Sequence, residues 1–224
     1  MPNSKVVTPY GGDQNEKKNE VASMFNNIAG NYDFLNHFLS MGIDKLWRRK
    51  VVKMVKNVQA KNVLDVATGT GDLAIALLKA NPDKITGIDI SVGMLEKGKE
   101  KIKELKVDNI IHLEKGDSEN IHFEEGTFDA ITVAFGVRNY QNLDKGLSEM
   151  YRVLKPNAPL IVLEFSKPTN WFFKQIYFFY FCNVLPFIGR MVSKDSRAYT
   201  YLPESVKAFP DGSVFVNKLK QAGF

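Results

Sequence analysis

Apolar positions recur along this chain in two rhythms, and the changes from one to the other divide it into elements. After a polar, aperiodic stretch over residues 1–19, Val21, Met24, Phe25, Ile28 and Ala29 fall three or four residues apart, which predicts an amphipathic helix ending near Gly30-Asn31. An aromatic, amide-bearing segment runs from Tyr32 to Gly42. Asp44 is then placed to cap a second helix over roughly 45–58, which buries Trp47, Val51, Met54, Val55 and Val58 and turns its basic side outward.

From Val63 the rhythm changes. Short apolar runs at 63–66, 85–89, 110–113, 128–134 and 160–165 alternate with helical stretches at 73–78, roughly 92–105 and roughly 143–154, the last stopped by Lys155-Pro156-Asn157. Strands that alternate with helices imply an α/β fold with a doubly wound, mostly parallel sheet. Past Pro168 the segment from Trp171 to Phe181, followed by Val184 to Ile188, is apolar nearly all round, as a helix in a pocket wall or lid would be. Residues 205–224 offer one more amphipathic helix. The expected layout is a flexible arm (1–20) and a single domain (21–224), made of a helical cap (21–60), a core (61–168), an apolar lid (169–204) and a terminal helix.

Composition narrows the class. The chain has 224 residues, of which 44% are hydrophobic, enough for a full core, and it has no apolar run long enough to span a membrane. The amino terminus lacks the apolar stretch of a signal peptide, and Cys182, the sole cysteine, excludes an internal disulfide or a cysteine metal cluster; both point to the cytoplasm. His37, His112 and His122 have no metal-ligand spacing, so no metal is expected. A net charge of +5 keeps nucleic acid and anionic membrane surfaces in view. Lys97, Lys99, Lys101, Lys103 and Lys106 are interleaved with Glu96, Glu100 and Glu104, the pattern of a solvated helix face, whereas Arg48, Arg49, Lys50, Lys53 and Lys56 form a denser run suited to surface binding. The aromatics after Pro168 lack the interspersed cations that a nucleic-acid groove wants, which argues against nucleic acid.

Ligands of an open parallel sheet bind past the carboxyl ends of its strands. Four features meet there: Gly69-Thr70-Gly71, Asp89, Asp117-Ser118, and the stretch from Phe135 to Asn139. A dinucleotide site wants a third glycine and a helix start free to hold a diphosphate, but Asp72 stands at that start and disfavours one. A cationic ligand fits better. S-adenosylmethionine has a sulfonium, an ammonium and no phosphate; Asp65 and the Gly69 to Gly71 backbone could hold its methionine end, Asp89 both ribose hydroxyls, and Asp117 the adenine amino group. A plain tight turn is the alternative for the glycine pair. A nicotinamide enzyme would also use Asp89, but it has no need of Asp117-Ser118.

Asp65 to Asp72, Asp89-Ile90-Ser91, Phe135-Gly136-Val137-Arg138-Asn139 and Leu163-Glu164-Phe165-Ser166-Lys167-Pro168 resemble the ubiquinone/menaquinone biosynthesis C-methyltransferase family. So do Tyr32-Asp33 with Asn36, Ser40, Gly42, Trp47 and Arg48, and the run from Tyr199 to Pro203 with Phe209-Pro210. The resemblance implies a Rossmann-like class I S-adenosylmethionine-dependent methyltransferase that methylates a ring carbon of a polyprenylated quinol, either a demethylmenaquinol or a polyprenyl benzoquinol. It also implies that Thr70, Asp89, Asp117 and Ser118 contact the cofactor and that two closing strands follow Phe224. For catalysis, Arg138 with Asn139 beside it is expected to stabilise a quinolate or orient a water, since arginine stays protonated, and Tyr32 to close the site. A purely structural ion pair is the alternative for Arg138. The apolar segment is expected to hold the prenyl tail or serve a homodimer, with plain core packing the alternative for any single aromatic, and the basic helix to touch the membrane surface transiently. Two other functions remain open: a methyltransferase of another small molecule, and a non-catalytic lipid- or protein-binding module.

Overall fold

The computed structural model describes residues 7–40, 42–167, 171, 175 and 197–224, with only the backbone at 35, 38, 39 and 199. Three helices come first: α1 (Lys17–Ile28), α2 (Tyr32–Leu39) and α3 (Ile43–Asn57). The core alternates β1 (Asn62–Val66), α4 (Asp72–Leu77), β2 (Lys84–Asp89), α5 (Val92–Glu104), β3 (Ile111–Lys115), β4 (Ala130–Ala134), α6 (Leu143–Val153) and β5 (Leu160–Leu163). Two further described helices, α7 (Arg197–Ala208) and α8 (Ser213–Ala222), follow. Most of the expected lid, with Cys182, lies outside the described residues.

The five strands form one sheet in the order β3-β2-β1-β4-β5, every pair parallel. Because successive strand residues point to opposite faces, Val63, Ile85, Leu113 and Ala130 pack under α3, α4 and α5, while Leu64, Val66, Ile88, Ile131 and Val133 pack under α6 and α8. Both faces are covered, which is why the strands read as near-continuous apolar runs. The order reverses at β1, between β2 and β4, and the crevice opens there.

The cap differs from the sequence expectation in ways that bear on the site. α1 begins one turn before Val21, and the segment ahead of it folds back onto it: the Glu20 carboxylate accepts from the N–H groups of Tyr10 (2.6 Å) and Gly12 (2.9 Å). The Tyr32 to Gly42 segment contains a helix of its own. Asp44 does not cap α3. Gly42, left-handed at φ 74°, precedes the helix, and Asp44 sits inside its first turn, where it accepts from Ser40 Oγ at 2.6 Å and from Arg48 and lies 2.8 Å from His37 Nδ1. Burial opposes its charge, but these three partners outweigh burial and hold its carboxyl below the usual range.

Arg48, read as part of an outward basic run, is buried at 8% exposure between Asp44 and Asp72, the latter 3.4 Å away. Met54 and Val58, read as inward, are exposed, because Val51, Val52 and Val55 supply the buried stripe of α3 instead. Removing one partner from a buried ion pair generally costs about 3–5 kcal/mol, so the Asp44–Arg48–Asp72 contacts fasten the cap to the start of α4 firmly.

Candidate active site

The crevice beyond β1 and β4 holds a cavity of about 680 Å3, counting the space open to solvent. Its floor comes from strand ends: Ala67 and Gly69 after β1, Asp89 and Ile90 at the end of β2, Gly116 to Glu119 after β3, and Ala134 to Gly136 with Asn139 to Gln141 after β4. Lys18, Val21 and Phe25 of α1, Tyr32 of α2 and Met94 of α5 cover it.

The floor is shaped by backbone that few side chains tolerate. Ala67 (φ 54°) and Phe135 (φ 59°), neither of them glycine, are left-handed at the ends of β1 and β4, and Gly69 (φ 58°) and Gly71 (φ 77°) share that conformation in the turn. A Cβ on Gly136 would lie 2.6 Å from Ala67 Cβ, so the two strand ends approach more closely than any residue but glycine permits.

Asp89 Oδ2 accepts the Gly69 N–H and Oδ1 the Ser91 N–H, each at 2.8 Å. Burial raises its carboxyl above the usual range despite those N–H groups. A carboxylate has about four acceptor positions, so Asp89, which lines the cavity, keeps acceptor capacity beyond its backbone partners. Asp117 Oδ1 accepts the Glu119 N–H at 2.9 Å and Oδ2 pairs with Lys18 at 2.7 Å. Tyr32 packs edge-on against Phe25, 5.9 Å between ring centroids, and burial raises its phenol, which stays protonated at neutral pH. Asn139 is buried, and its Oδ1 has no hydrogen-bond partner among the described residues.

The cavity therefore gathers Tyr32, Gly69, Asp89, Asp117, Ser118 and Asn139 from the sequence-derived set, and leaves Asp65, Thr70, Gly71 and Arg138 behind its wall. Asp65 is 1% exposed beneath the turn, its two oxygens accepting from Thr68 Oγ1 and Thr132 Oγ1 at 2.6 Å each. Thr70 donates its hydroxyl to Asp33 Oδ1 of α2 at 2.5 Å. Arg138 donates to Glu164 Oε1 (2.7 Å) and to the Phe135 carbonyl (2.5 Å), and its guanidinium lies 5.6 Å from the centroid of the Phe165 ring. That ring, Phe135 and Trp47 of α3 form one aromatic group.

Sequence reasoning missed Lys17, Lys18 and Glu119, and it gave Asp33 no role of its own. The lysines carried a usable signal, because Lys17 stands four residues before Val21 on the same helical stripe.

The ligand class follows from the charges. Asp72, taken from the sequence as the reason to exclude a diphosphate, is itself neutralised by Lys101 (2.7 Å) and Arg48 (3.4 Å), with His37 Nε2 at 3.3 Å. The exclusion rests instead on the lining, where Asp89, Asp117 and Glu119 face a single ammonium, that of Lys18. A diphosphate is repelled there, and a ligand bearing a sulfonium and an ammonium is attracted. The cavity residues thus fit S-adenosylmethionine, with bare backbone at Gly69, Gly116 and Gly136 for close approach.

Comparison with known proteins agrees. Residues 13–224 match the model of the ubiE/COQ5 methyltransferase family. The chain belongs to that family. It is 46% identical over 219 residues to a demethylmenaquinone methyltransferase of Bacteroides fragilis, covering 97% of this chain and 89% of that one. Against the demethylmenaquinone methyltransferase of Porphyromonas gingivalis it is 45% identical, covering 100% and 92%. Against a ubiquinone/menaquinone biosynthesis C-methyltransferase of Geotalea daltonii it is 46% identical, covering 93% and 89%. The fold is shared with a Methanococcus maripaludis protein assigned as an S-adenosylmethionine-dependent methyltransferase (TM-score 0.61, 20% identity, 100% of this chain and 88% of that one). It is also shared with the [4+2]-cyclase SpnF (TM-score 0.59, 20% identity, 68% and 62%). As a member of the ubiE/COQ5 family, the chain is a methyltransferase that takes its methyl group from S-adenosylmethionine.

One group under the cavity makes stability depend on pH. Burial pushes the Asp65 carboxyl up to about 6 against the pull of the two threonine hydroxyls. An unfolded aspartate titrates near 3.9, so between about pH 6 and about pH 4 the folded chain binds more protons at this site than the unfolded chain. This group therefore adds stability as pH falls through that window. Asp65→Asn removes the titration. In urea unfolding, the wild type gains stability relative to Asp65→Asn between about pH 7 and about pH 4.5; parallel pH curves contradict the assignment.

Proposed function

We propose that this chain methylates a ring carbon of demethylmenaquinol in quinone biosynthesis. The near full-length match to demethylmenaquinone methyltransferases carries the reading, and the acidic, glycine-walled cavity supports it.

In this reading Gly69, Asp89, Asp117 and Ser118 hold the cofactor directly, while Asp65, Thr70 and Gly71 set the shape of the turn from behind. When bound, S-adenosylmethionine supplies a methyl group already activated on a sulfonium. The protein's part is to orient the acceptor ring and favour its ionised form, because a ring carbon gains nucleophilicity as the neighbouring hydroxyl loses its proton. Asn139 lines the cavity, and its Oδ1, without a partner among the described residues, is suited to accept from that hydroxyl. Arg138, its charge paired with the buried Glu164 carboxylate, holds the 135–139 loop through Glu164 and the Phe135 carbonyl and so positions Asn139. Tyr32, a protonated donor from the cap, closes the cavity on the α2 side. The apolar segment after Pro168 is assigned to the prenyl tail.

A membrane surface completes the reading. The exposed face of α3 carries Ile43 (39%), Leu46 (53%) and Met54 (54%) among Lys45, Arg49, Lys50, Lys53 and Lys56, with no exposed acid on the helix. Apolar side chains set among cations suit the headgroups of an anionic bilayer, where a prenylated substrate resides.

Extracts of a deletion strain are expected to accumulate demethylmenaquinone by mass spectrometry, and the wild-type gene to restore menaquinone. Accumulation of a desmethyl benzoquinone alone contradicts the assignment. In purified enzyme, Arg138→Lys loses the planar fork and is expected to lower kcat by about 10–100-fold while S-adenosylhomocysteine affinity changes by less than about three-fold; unchanged turnover overturns the role given to Arg138. In flotation assays the protein is expected to bind phosphatidylglycerol liposomes at low salt, not phosphatidylcholine ones, and to lose binding on Lys50→Glu with Lys53→Glu. Equal binding to both lipids contradicts the membrane assignment.

A further inference from the structure

The two loops that wall the cavity do not touch through the sheet. One follows β3 and the other β4, strands that lie three spacings, about 14 Å, apart in the sheet. Past the sheet the loops meet through Glu119, and the first turn of α1 braces that junction from both sides. Lys17 Nζ donates to the carbonyl oxygens of Arg138 (3.2 Å) and Tyr140 (3.0 Å), on the β4 side. Lys18 Nζ pairs with Asp117 (2.7 Å) and Glu119 (3.1 Å), on the β3 side. The Lys18 N–H adds a bond to Gln141 Oε1 at 3.2 Å. Adjacent helix residues project about 100° apart, so neighbouring lysines reach opposite walls. Glu119 closes the link, its Oε1 accepting the N–H groups of Gln141 (2.8 Å) and Asn142 (3.0 Å).

We propose that Lys17 and Lys18 form a clasp that fixes the spacing of the two cavity walls, with Lys17 the positioning residue for the loop that carries Arg138 and Asn139. The inference rests on reading the cavity as the S-adenosylmethionine site. Lys17 touches neither cavity nor ligand; it acts through the two carbonyl groups it holds. Burial lowers its ammonium to about 8, Glu119 opposing that shift and Arg138 adding to it. The retained charge strengthens the two carbonyl bonds, since charge-assisted hydrogen bonds are roughly twice as strong as neutral ones. Above about pH 8 the neutral amine holds the loop less tightly, whereas an arginine in its place keeps its charge.

The test is titration calorimetry of S-adenosylhomocysteine against wild type, Lys17→Met, Lys17→Arg and Asp89→Asn, near pH 7 and near pH 9.5, with thermal melts to verify folding. Near pH 7, Lys17→Met is expected to bind about ten-fold more weakly than wild type, and Lys17→Arg within about three-fold of it. From the lower to the higher pH, wild type is expected to lose several-fold more affinity than Lys17→Arg, a difference that a merely structural lysine does not produce. Should Lys17→Met fail to fold, that difference in pH response decides alone. Unchanged affinity in Lys17→Met, or matching pH responses of wild type and Lys17→Arg, overturns the clasp. Unchanged affinity in Asp89→Asn overturns the cavity reading and the clasp with it; a weakened Asp89→Asn beside an unaffected Lys17→Met overturns the clasp alone.

Discussion

The site depends on the divergence of β1 and β4 just past their carboxyl ends. Gly136 lies so close to Ala67 that a single added carbon would meet it at 2.6 Å, and both strands then turn away through left-handed residues. Backbone in that region is costly for a residue with a side chain, of order 1–3 kcal/mol, and two such residues meet at one crevice. What they create is an opening floored by main chain, where the acids at the ends of β2 and β3 face a cavity that side chains on β1 and β4 would otherwise fill. The buried carboxylate of Asp65 ties the turn to β4 from below through Thr68 and Thr132.

The cap depends on charge in a different way. Asp33, Asp44 and Asp72 are served by Lys101, Arg48 and His37 in one continuous group that joins α2, α3, α4 and α5. Thr70 enters the same group through Asp33, so the glycine turn is held from above by α2 and from below by Asp65. Tyr32 sits one residue from Asp33, and its position over the cavity is thereby coupled to the turn.

The parallel sheet, its strands and the acids at their ends were legible in the sequence, because a period of two and a period of 3.6 separate cleanly and because ligands of such sheets collect at one edge. Depth was harder to read. In a strand buried on both faces, Asp65 and Asp89 look alike, yet one faces α3 and α4 beneath the turn while the other stands at the strand end beside the cavity. Pairings across the fold were not readable at all: nothing local joins Arg48 to Asp72, 24 residues on, so Arg48 passed for a surface cation and Asp72 for a free anion. Lys17 was missed because a period search counts apolar residues, and a lysine on the buried stripe breaks the count.

The central claim is that the methyl donor binds at the crevice between β1 and β4. Backbone hydrogen exchange with and without S-adenosylhomocysteine tests it most directly. Ligand-dependent protection is predicted at the amides of residues 67–71, 89–91, 116–119 and 135–141, with little change in α6 and α8 on the far face of the sheet. Protection confined to other segments, with these amides unaffected at saturating ligand, contradicts the account.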